Sequence, residues 1–457
     1  MSDSTLLTAT EISGLIERRD VSALEVTAAA LRRIALLEPL IHAWAWLDPD
    51  RARDQARRVD AGLAAGLDGP HLLRGVPVGV KDIFNTADMP TEMGSRIWAG
   101  FRPGNDARIV FNLRYDGAII PGKTRTSEFA VHEPTDVRNP HQLTHAPGTS
   151  SAGSAAAVAS GMVPLALGSQ TAGSCIRPAS YCGVFGFKPT FSTVPRTGVL
   201  KTADTLDTVA WFARSIDDVE RLFEVVRVRG RNYPLVDANV VRRPLTEPIA
   251  IAVVRGPHWS DATPAAQRVL TDAADHLRAS GRFAVDEIEI PEAAEIYDDH
   301  ELIYCKALSY YFRGEQRNDR SKISGVLTGM LERGEVTTPE AYHRAVARQA
   351  ELTRRLNEEF RYAAYLTLSA SGEAPRGLQS PDLPDTCKIW TYLGMPALSI
   401  PAAAGPNGLP IGLQVVAPKY ADYRLLDVGR AIVDALGVRA AIATPQEAGQ
   451  KVSGHLA

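Results

Sequence analysis

The strongest constraint on this chain is a block of small residues between positions 147 and 190. It begins Pro147-Gly-Thr-Ser150-Ser151-Ala-Gly153-Ser154 and continues through Gly168-Ser-Gln170-Thr171-Ala-Gly173-Ser174-Cys-Ile-Arg177-Pro178. It closes on Cys182-Gly-Val-Phe-Gly-Phe-Lys188-Pro189-Thr190. A Gly/Ser run alone describes a flexible linker. This one leads directly into apolar Ala155–Leu167, which a solvated linker would not do. Small residues instead let backbone approach a ligand closely and adopt dihedrals that other side chains avoid.

The flanking sequence alternates between two hydrophobic periods. Thr8-Ala-Thr-Glu11 and Ser22-Ala-Leu-Glu25 are capping-box patterns, and each precedes an apolar rhythm of helical spacing. Gly75-Val-Pro-Val-Gly-Val-Lys81-Asp82 reads as a buried strand, and Ala118-Ile-Ile120 as a second short one. Helices are expected over Ala107–Tyr115, Ser154–Ser160, Asp217–Val228, Pro264–Ala279 and Tyr423–Leu436. Strands are expected over Ile249–Val254, Val285–Ile290, Leu398–Pro401 and Leu409–Val416. From about 295 to 362 the pattern is amphipathic helix. Such alternation predicts an α/β fold. With no repeat and no low-complexity linker, one domain over 1–457 is the simplest organisation.

The small-residue block, Gly75–Asp82, Gly122-Lys-Thr with Glu128-Phe-Ala130, and Gly394-Met-Pro-Ala-Leu-Ser-Ile-Pro401 with Gly408–Gln414 together resemble the amidase signature family. The likeness covers nearly the whole chain outside about 210–370. The resemblance implies a mixed central β-sheet sandwiched by helices, with the mostly helical 210–370 region shaping substrate choice. It also implies a Ser–cis-Ser–Lys triad that cleaves amide-type C–N bonds through an acyl-enzyme. Matched motif by motif, the nucleophile falls on Ser174, the bridging serine on Ser150 after a cis Thr149–Ser150 bond, and the base on Lys81. The backbone amides of Thr171, Ala172, Gly173 and Ser174 fall where the family builds its oxyanion hole.

The residue chemistry suits these roles. A serine hydroxyl attacks only when a neighbouring base takes its proton. A lysine can be that base only when neutral, so its ordinary pKa of about 10.4 must be pulled down. Lys81 sits in apolar Val78-Gly-Val, which would desolvate it. The competing structural readings are Lys81 paired with Asp82 and Ser150 as a helix N-cap. Ser151 and Ser154 read as caps or supporting hydroxyls.

Several positions depart from the family pattern. Gln170 stands where an aspartate is usual, Ala172 and Thr149 stand for glycines, and so does Ala152. Arg177 lies three residues after Ser174 rather than two, and Arg125 and Ser127 replace Asn and Asp. Ser151, Gln170 and Arg177 are therefore expected around the triad with altered contacts.

Other chemistries fit less well. Gly117-Ala-Ile-Ile-Pro-Gly122-Lys123-Thr124 matches a phosphate-binding loop in letters, but its apolar run lies between the glycines rather than before them. No G-x-S-x-G elbow and no H-E-x-x-H occurs. The four cysteines, Cys175, Cys182, Cys305 and Cys387, fit reduced buried thiols, and Cys175 a packed pocket residue. The net charge of −3, without long like-charge runs, offers no surface for nucleic acid or membrane. No apolar stretch reaches the length of about 18 residues that a membrane span needs. The expected setting is cytoplasmic, without cofactor or metal, acting on a small-molecule amide or a carbamate (urethane), as a lone chain or a homodimer. Two alternatives stay open: a glutamine-amidase subunit of an amidotransferase, and a nucleotide-binding protein. Tyr304, Tyr310, Tyr311 and Phe312 could form an aromatic wall or simply pack; Met395 and Ile389–Tyr392 could line a substrate channel, with core packing the simpler reading.

Overall fold

The computed structural model describes residues 4–66, 69, 71–230, 236–443, 445–447 and 450–451. Eleven strands build one sheet: β1 (Trp44–Leu47), β2 (Val78–Lys81), β3 (Gly122–Thr124), β4 (Leu165–Gln170), β5 (Phe185–Lys188), β6 (Thr208–Ala213), β7 (Ile249–Val254), β8 (Phe283–Ile288), β9 (Ala364–Leu368), β10 (Ala397–Ala404) and β11 (Pro410–Val416). Their order is β1-β3-β2-β4-β6-β5-β10-β11-β9-β7-β8. The sheet is mixed. β3, β2 and β4 run parallel, as do β8, β7 and β9, while the strands between pair antiparallel.

Every residue of β2, β5, β6 and β9 is buried, as in a sheet covered on both faces. Edge strand β8 instead alternates buried and exposed positions at its start. Helices Ala152–Ala159 and Ile176–Cys182 pack on one another and on the middle strands. Helices Ile216–Val226, Pro264–Ala279 and Asp422–Leu436 form a second group over the sheet. Helix Ala152–Ala159 has no residue larger than valine and is buried throughout, which explains its Ala/Gly/Ser composition.

Both capping boxes form. The Thr8 and Ser22 hydroxyls accept from the amides of Glu11 and Glu25, whose carboxylates accept in return from the cap amides at 2.7 and 2.8 Å. Ala118–Ile120 is not a strand. Ile119 makes only an isolated bridge to Pro77, and Pro121 has no N–H, so the regular ladder begins at Gly122. The 210–370 region supplies helices Ala293–Tyr311, Arg313–Asn318, Gly325–Val336 and Pro339–Glu358, but also strands β7, β8 and β9. It is thus woven into the sheet rather than laid upon it. Its aromatic residues form no wall: Tyr304 and Phe312 are core, Tyr310 is 63% exposed, and the Tyr311 hydroxyl donates to Asp204.

Candidate functional site

The carboxyl ends of parallel β2 and β4 lie side by side, and such ends are where open α/β sheets place their ligands. Lys81 closes β2 and is fully buried. Its Nζ lies 2.7 Å from Ser150 Oγ, 2.9 Å from Ser169 Oγ and 3.0 Å from Ser151 Oγ. Among the described residues no carboxylate shares this contact. Burial pulls the lysine pKa down to about 7, against a weak upward pull from Cys175 and Asp207. Asp82, the alternative partner, turns away and pairs with Lys123 at 2.9 Å.

Ser150 and Ser151 precede helix Ala152–Ala159, yet neither caps it: Ser151 occupies the N-cap position and its side chain accepts no cap hydrogen bond. Their hydroxyls face Lys81 instead. Ser154 is structural, donating to the Leu167 carbonyl at 2.7 Å and sharing a hydrogen bond with Thr124. The Thr149–Ser150 bond is trans, not cis; among the described residues the cis bond is Glu247–Pro248. The unusual backbone lies at Ser150 itself, whose φ is +65°.

Ser174 follows β4 in a tight turn and is 5% exposed. Its hydroxyl makes no side-chain hydrogen bond among the described residues, to Ser150 or to any other group. The backbone N–H groups of Thr171, Ala172, Gly173 and Ser174 likewise donate to no acceptor among the described residues. The next two, of Cys175 and Ile176, both donate to Gln170 Oε1 at 2.9 and 3.0 Å. Four consecutive unpaired N–H groups in a buried turn are rare in folded proteins. Cys175 is no rival to Ser174. Its Sγ faces the Trp211 carbonyl at 3.5 Å, and burial pushes its pKa far up, so the thiol stays protonated.

Two departures from the family pattern, Thr149 and Arg177, meet in one network. Arg177 is buried between Asp382 and Asp385, at 2.8 and 2.7 Å. The Thr149 hydroxyl donates to the same Asp382 carboxylate. Burial alone would raise the Asp385 pKa, but the Arg177 guanidinium holds it at about 2. Asp385 also accepts from the amides of Cys387 and Lys388. A Cβ at Gly173 would lie 2.6 Å from Asp385 Oδ2, so only glycine lets this carboxylate pack against the turn. Gln170 does what a carboxylate could not: besides accepting two amides, it donates from Nε2 to Thr391 Oγ1 at 3.0 Å.

Three contributors escaped the sequence reading. Ser169 had a signal, a hydroxyl ending the apolar run Leu165-Ala-Leu-Gly. His300 had none, and Thr391 only its place in the Ile389–Tyr392 segment; both reach the turn from distant parts of the chain. The phosphate-loop match fails structurally. Gly122–Thr124 is strand β3, and a Cβ at Gly122 would meet the Trp46 carbonyl at 2.1 Å. Arg125 and Ser127 are committed to backbone carbonyls, of His42, Trp44 and Val131. All four cysteines are free and buried. No cluster of His, Cys, Asp or Glu fit for a metal occurs among the described residues, and no helix there is long and apolar enough to cross a membrane.

The mixed eleven-stranded sheet with helices on it is the amidase-type fold, and the comparisons agree. The amidase family matches residues 25–426, and the chain belongs to that family, whose signature members hydrolyse C–N bonds. It is 34% identical to one of the subunits of the glutamyl-tRNA(Gln) amidotransferase of Acidothermus cellulolyticus, over 94% of this chain and 95% of that one. The structure of a peptide amidase from Stenotrophomonas maltophilia matches with a TM-score of 0.81 at 25% identity, covering 96% and 99% of the two chains. A structure from work on a vestigial protein complex and the origins of an s-triazine catabolic enzyme matches with a TM-score of 0.85 at 26% identity, covering 95% and 99%.

Proposed function

We propose that this chain is a serine amidase in which Lys81, through Ser150, activates Ser174. The observation that carries this reading is the buried Lys81 amine, held by three serine hydroxyls without a counter-charge. A neutral amine keeps two N–H donors and one lone pair. Ser151 and Ser169 can take the donors, which leaves the lone pair for the Ser150 proton. Ser150 in turn takes the proton of Ser174. The Ser174 hydroxyl makes no hydrogen bond to Ser150 among the described residues, so this relay requires that bond to form when substrate binds.

Ser174 Oγ then bonds to the carbonyl carbon, and the oxyanion is met by the free amides of residues 171–174. As the C–N bond breaks, the proton stored on Lys81 returns through Ser150 to the leaving nitrogen. Water repeats the cycle, releasing the acid and restoring Ser174. The substrate is a small-molecule amide; aryl carbamates and esters present the same carbonyl and are the next classes to assay. No metal, cofactor or nucleic acid enters this chemistry. The whole chain acts as one catalytic domain, in a reducing cytoplasm that suits its free thiols. The 210–370 region reaches the site through His300 and so shapes it.

The test is labelling by a fluorophosphonate probe, wild type against Ser174→Ala. Loss of labelling in the variant is expected; unchanged labelling overturns the nucleophile. A second reading, the glutamine-amidase subunit of an amidotransferase, is favoured by the names of the curated relatives. It requires glutamine hydrolysis. That reading also needs a partner, so a lone chain that cleaves 4-nitroacetanilide by itself would disfavour it.

A further inference from the structure

The turn that carries Ser174 is held by two residues outside the triad, and their contacts follow a pattern. His300, from helix Ala293–Tyr311, donates from Nε2 to the Thr171 carbonyl at 2.8 Å. Thr391, from helix Lys388–Tyr392, donates from Oγ1 to the Ala172 carbonyl at 2.7 Å. These are two consecutive carbonyls. In a trans peptide the C=O and the following N–H point in opposite directions within one plane. Fixing the Thr171 carbonyl therefore fixes the Ala172 N–H, and fixing the Ala172 carbonyl fixes the Gly173 N–H. Those two N–H groups belong to the set with no acceptor among the described residues.

We propose that His300 and Thr391 are positioning residues that aim the Ala172 and Gly173 N–H groups at the oxyanion by anchoring the opposite ends of the same two peptide planes. This rests on the amidase reading above and adds the device that preorganises its oxyanion hole.

The direction of each hydrogen bond follows from its surroundings. Gln170 Oε1 accepts from two backbone amides, so its NH2 group must face Thr391. The Thr391 hydroxyl accepts that donor and is left with one proton, which goes to the Ala172 carbonyl. An aspartate at position 170, usual in the family, could only accept, and it would compete for the same proton. Gln170 thus commits Thr391 to the turn. His300 is fully buried, and burial lowers its pKa to about 4. Its Nδ1 has no partner among the described residues, so the single ring proton sits on Nε2, against the carbonyl. That donor survives protonation, so the anchor does not switch with pH.

The experiment compares variants that remove the donor with variants that keep it. His300→Phe and Thr391→Val remove it; His300→Gln and Thr391→Ser keep it. Each is assayed for kcat and KM on 4-nitroacetanilide, for fluorophosphonate labelling rate, and for inhibition by a trifluoromethyl ketone, whose hemiketal places an oxyanion in the turn. Each donor-free variant is expected to lose kcat about 10- to 100-fold, somewhat less than outright removal of an oxyanion donor. KM should hold within about twofold, because the ground-state carbonyl gains little from the hole. Ketone affinity should fall in step with kcat/KM, and the donor-keeping variants should retain most of both. Melting curves check folding. If His300→Phe or Thr391→Val does not fold, Thr391→Ala against Thr391→Ser makes the same comparison. The proposal is overturned if donor-free variants keep wild-type kcat and ketone affinity, or if donor-keeping variants lose as much. A wild type that resists the fluorophosphonate overturns the amidase reading itself. One that labels at Ser174, with variants labelling equally fast, overturns only the positioning role.

Discussion

Lys81 and Lys123 are neighbours on adjacent parallel strands, one register step apart, and both are fully buried. Burial lowers both pKa values. Their partners differ. Lys81 meets three hydroxyls and no carboxylate. Lys123 meets the Asp82 carboxylate, the Pro90 carbonyl and the Thr91 hydroxyl at 2.8–3.0 Å. Asp82, in contact, opposes the shift at Lys123, whereas the groups that oppose it at Lys81, Cys175 and Asp207, make no hydrogen bond to the amine. Desolvation is common to both lysines; the missing counter-charge is what leaves Lys81 fit to be a base.

The largest expected effect breaks this pair apart. Lys81→Met should cut labelling at Ser174 by about 10²- to 10⁴-fold, the range for loss of a general base. Its melting temperature should hold or rise, because an apolar chain replaces a buried amine without a counter-ion. Lys123→Met should do the reverse. Labelling per folded molecule stays near wild type, while stability falls by about 3–5 kcal/mol because Asp82 is left buried and unpaired. Adding Asp82→Leu should return much of that stability. Equal loss of labelling in both single variants would show that the lysines are not divided as described.

Next in size is pH dependence. The protonated Lys81 amine cannot accept a proton, and its pKa lies at about 7. Labelling should fall about tenfold per pH unit on the acid side of that value and level off above it. Lys123→Met should leave the midpoint in place. A flat profile from pH 5 to 9 would remove Lys81 as the base.

The same pair shows what the sequence could and could not reveal. Lys81 in an apolar strand, the Ser150 and Ser174 motifs and the small-residue block were legible because each is a local pattern. The partner of Asp82 was not, because strand pairing across the Val80–Lys123 register decides it. The α/β alternation was legible; β4, β5, β6 and β9 were not marked, since buried strands lack a period of their own, and four-residue β1 and three-residue β3 are too short to show one. Ala118–Ile120 misled for a related reason: its apolar letters do pair, but Pro121 defers the ladder. The shifted Arg177 looked like a defect in the motif. In space it joins Thr149, Asp382 and Asp385 into one buried network, with partners more than 200 residues away.

The smallest expected effect tests whether the hydroxyls around Lys81 tune it or merely surround it. Ser169 Oγ accepts from Lys81 Nζ at 2.9 Å. Such a bond favours the charged form, so Ser169→Ala should lower the lysine pKa further. The midpoint of the pH–rate profile should then move down from about 7, by about one unit if the lost bond is worth about 1.4 kcal/mol more to the ammonium than to the amine. The plateau rate should drop only a few-fold, since the Ser150 path is intact. Ser154→Ala is the matched control. Ser154 is fully buried, more so than Ser169, and lies four residues from Ser150, but it bonds Thr124 and the Leu167 carbonyl, not the lysine. It should cost about 1 kcal/mol of stability and leave the midpoint unmoved. If both variants shift the midpoint alike, the effect is one of general packing, and the contrast between a tuned Lys81 and a paired Lys123 reduces to the presence or absence of Asp82.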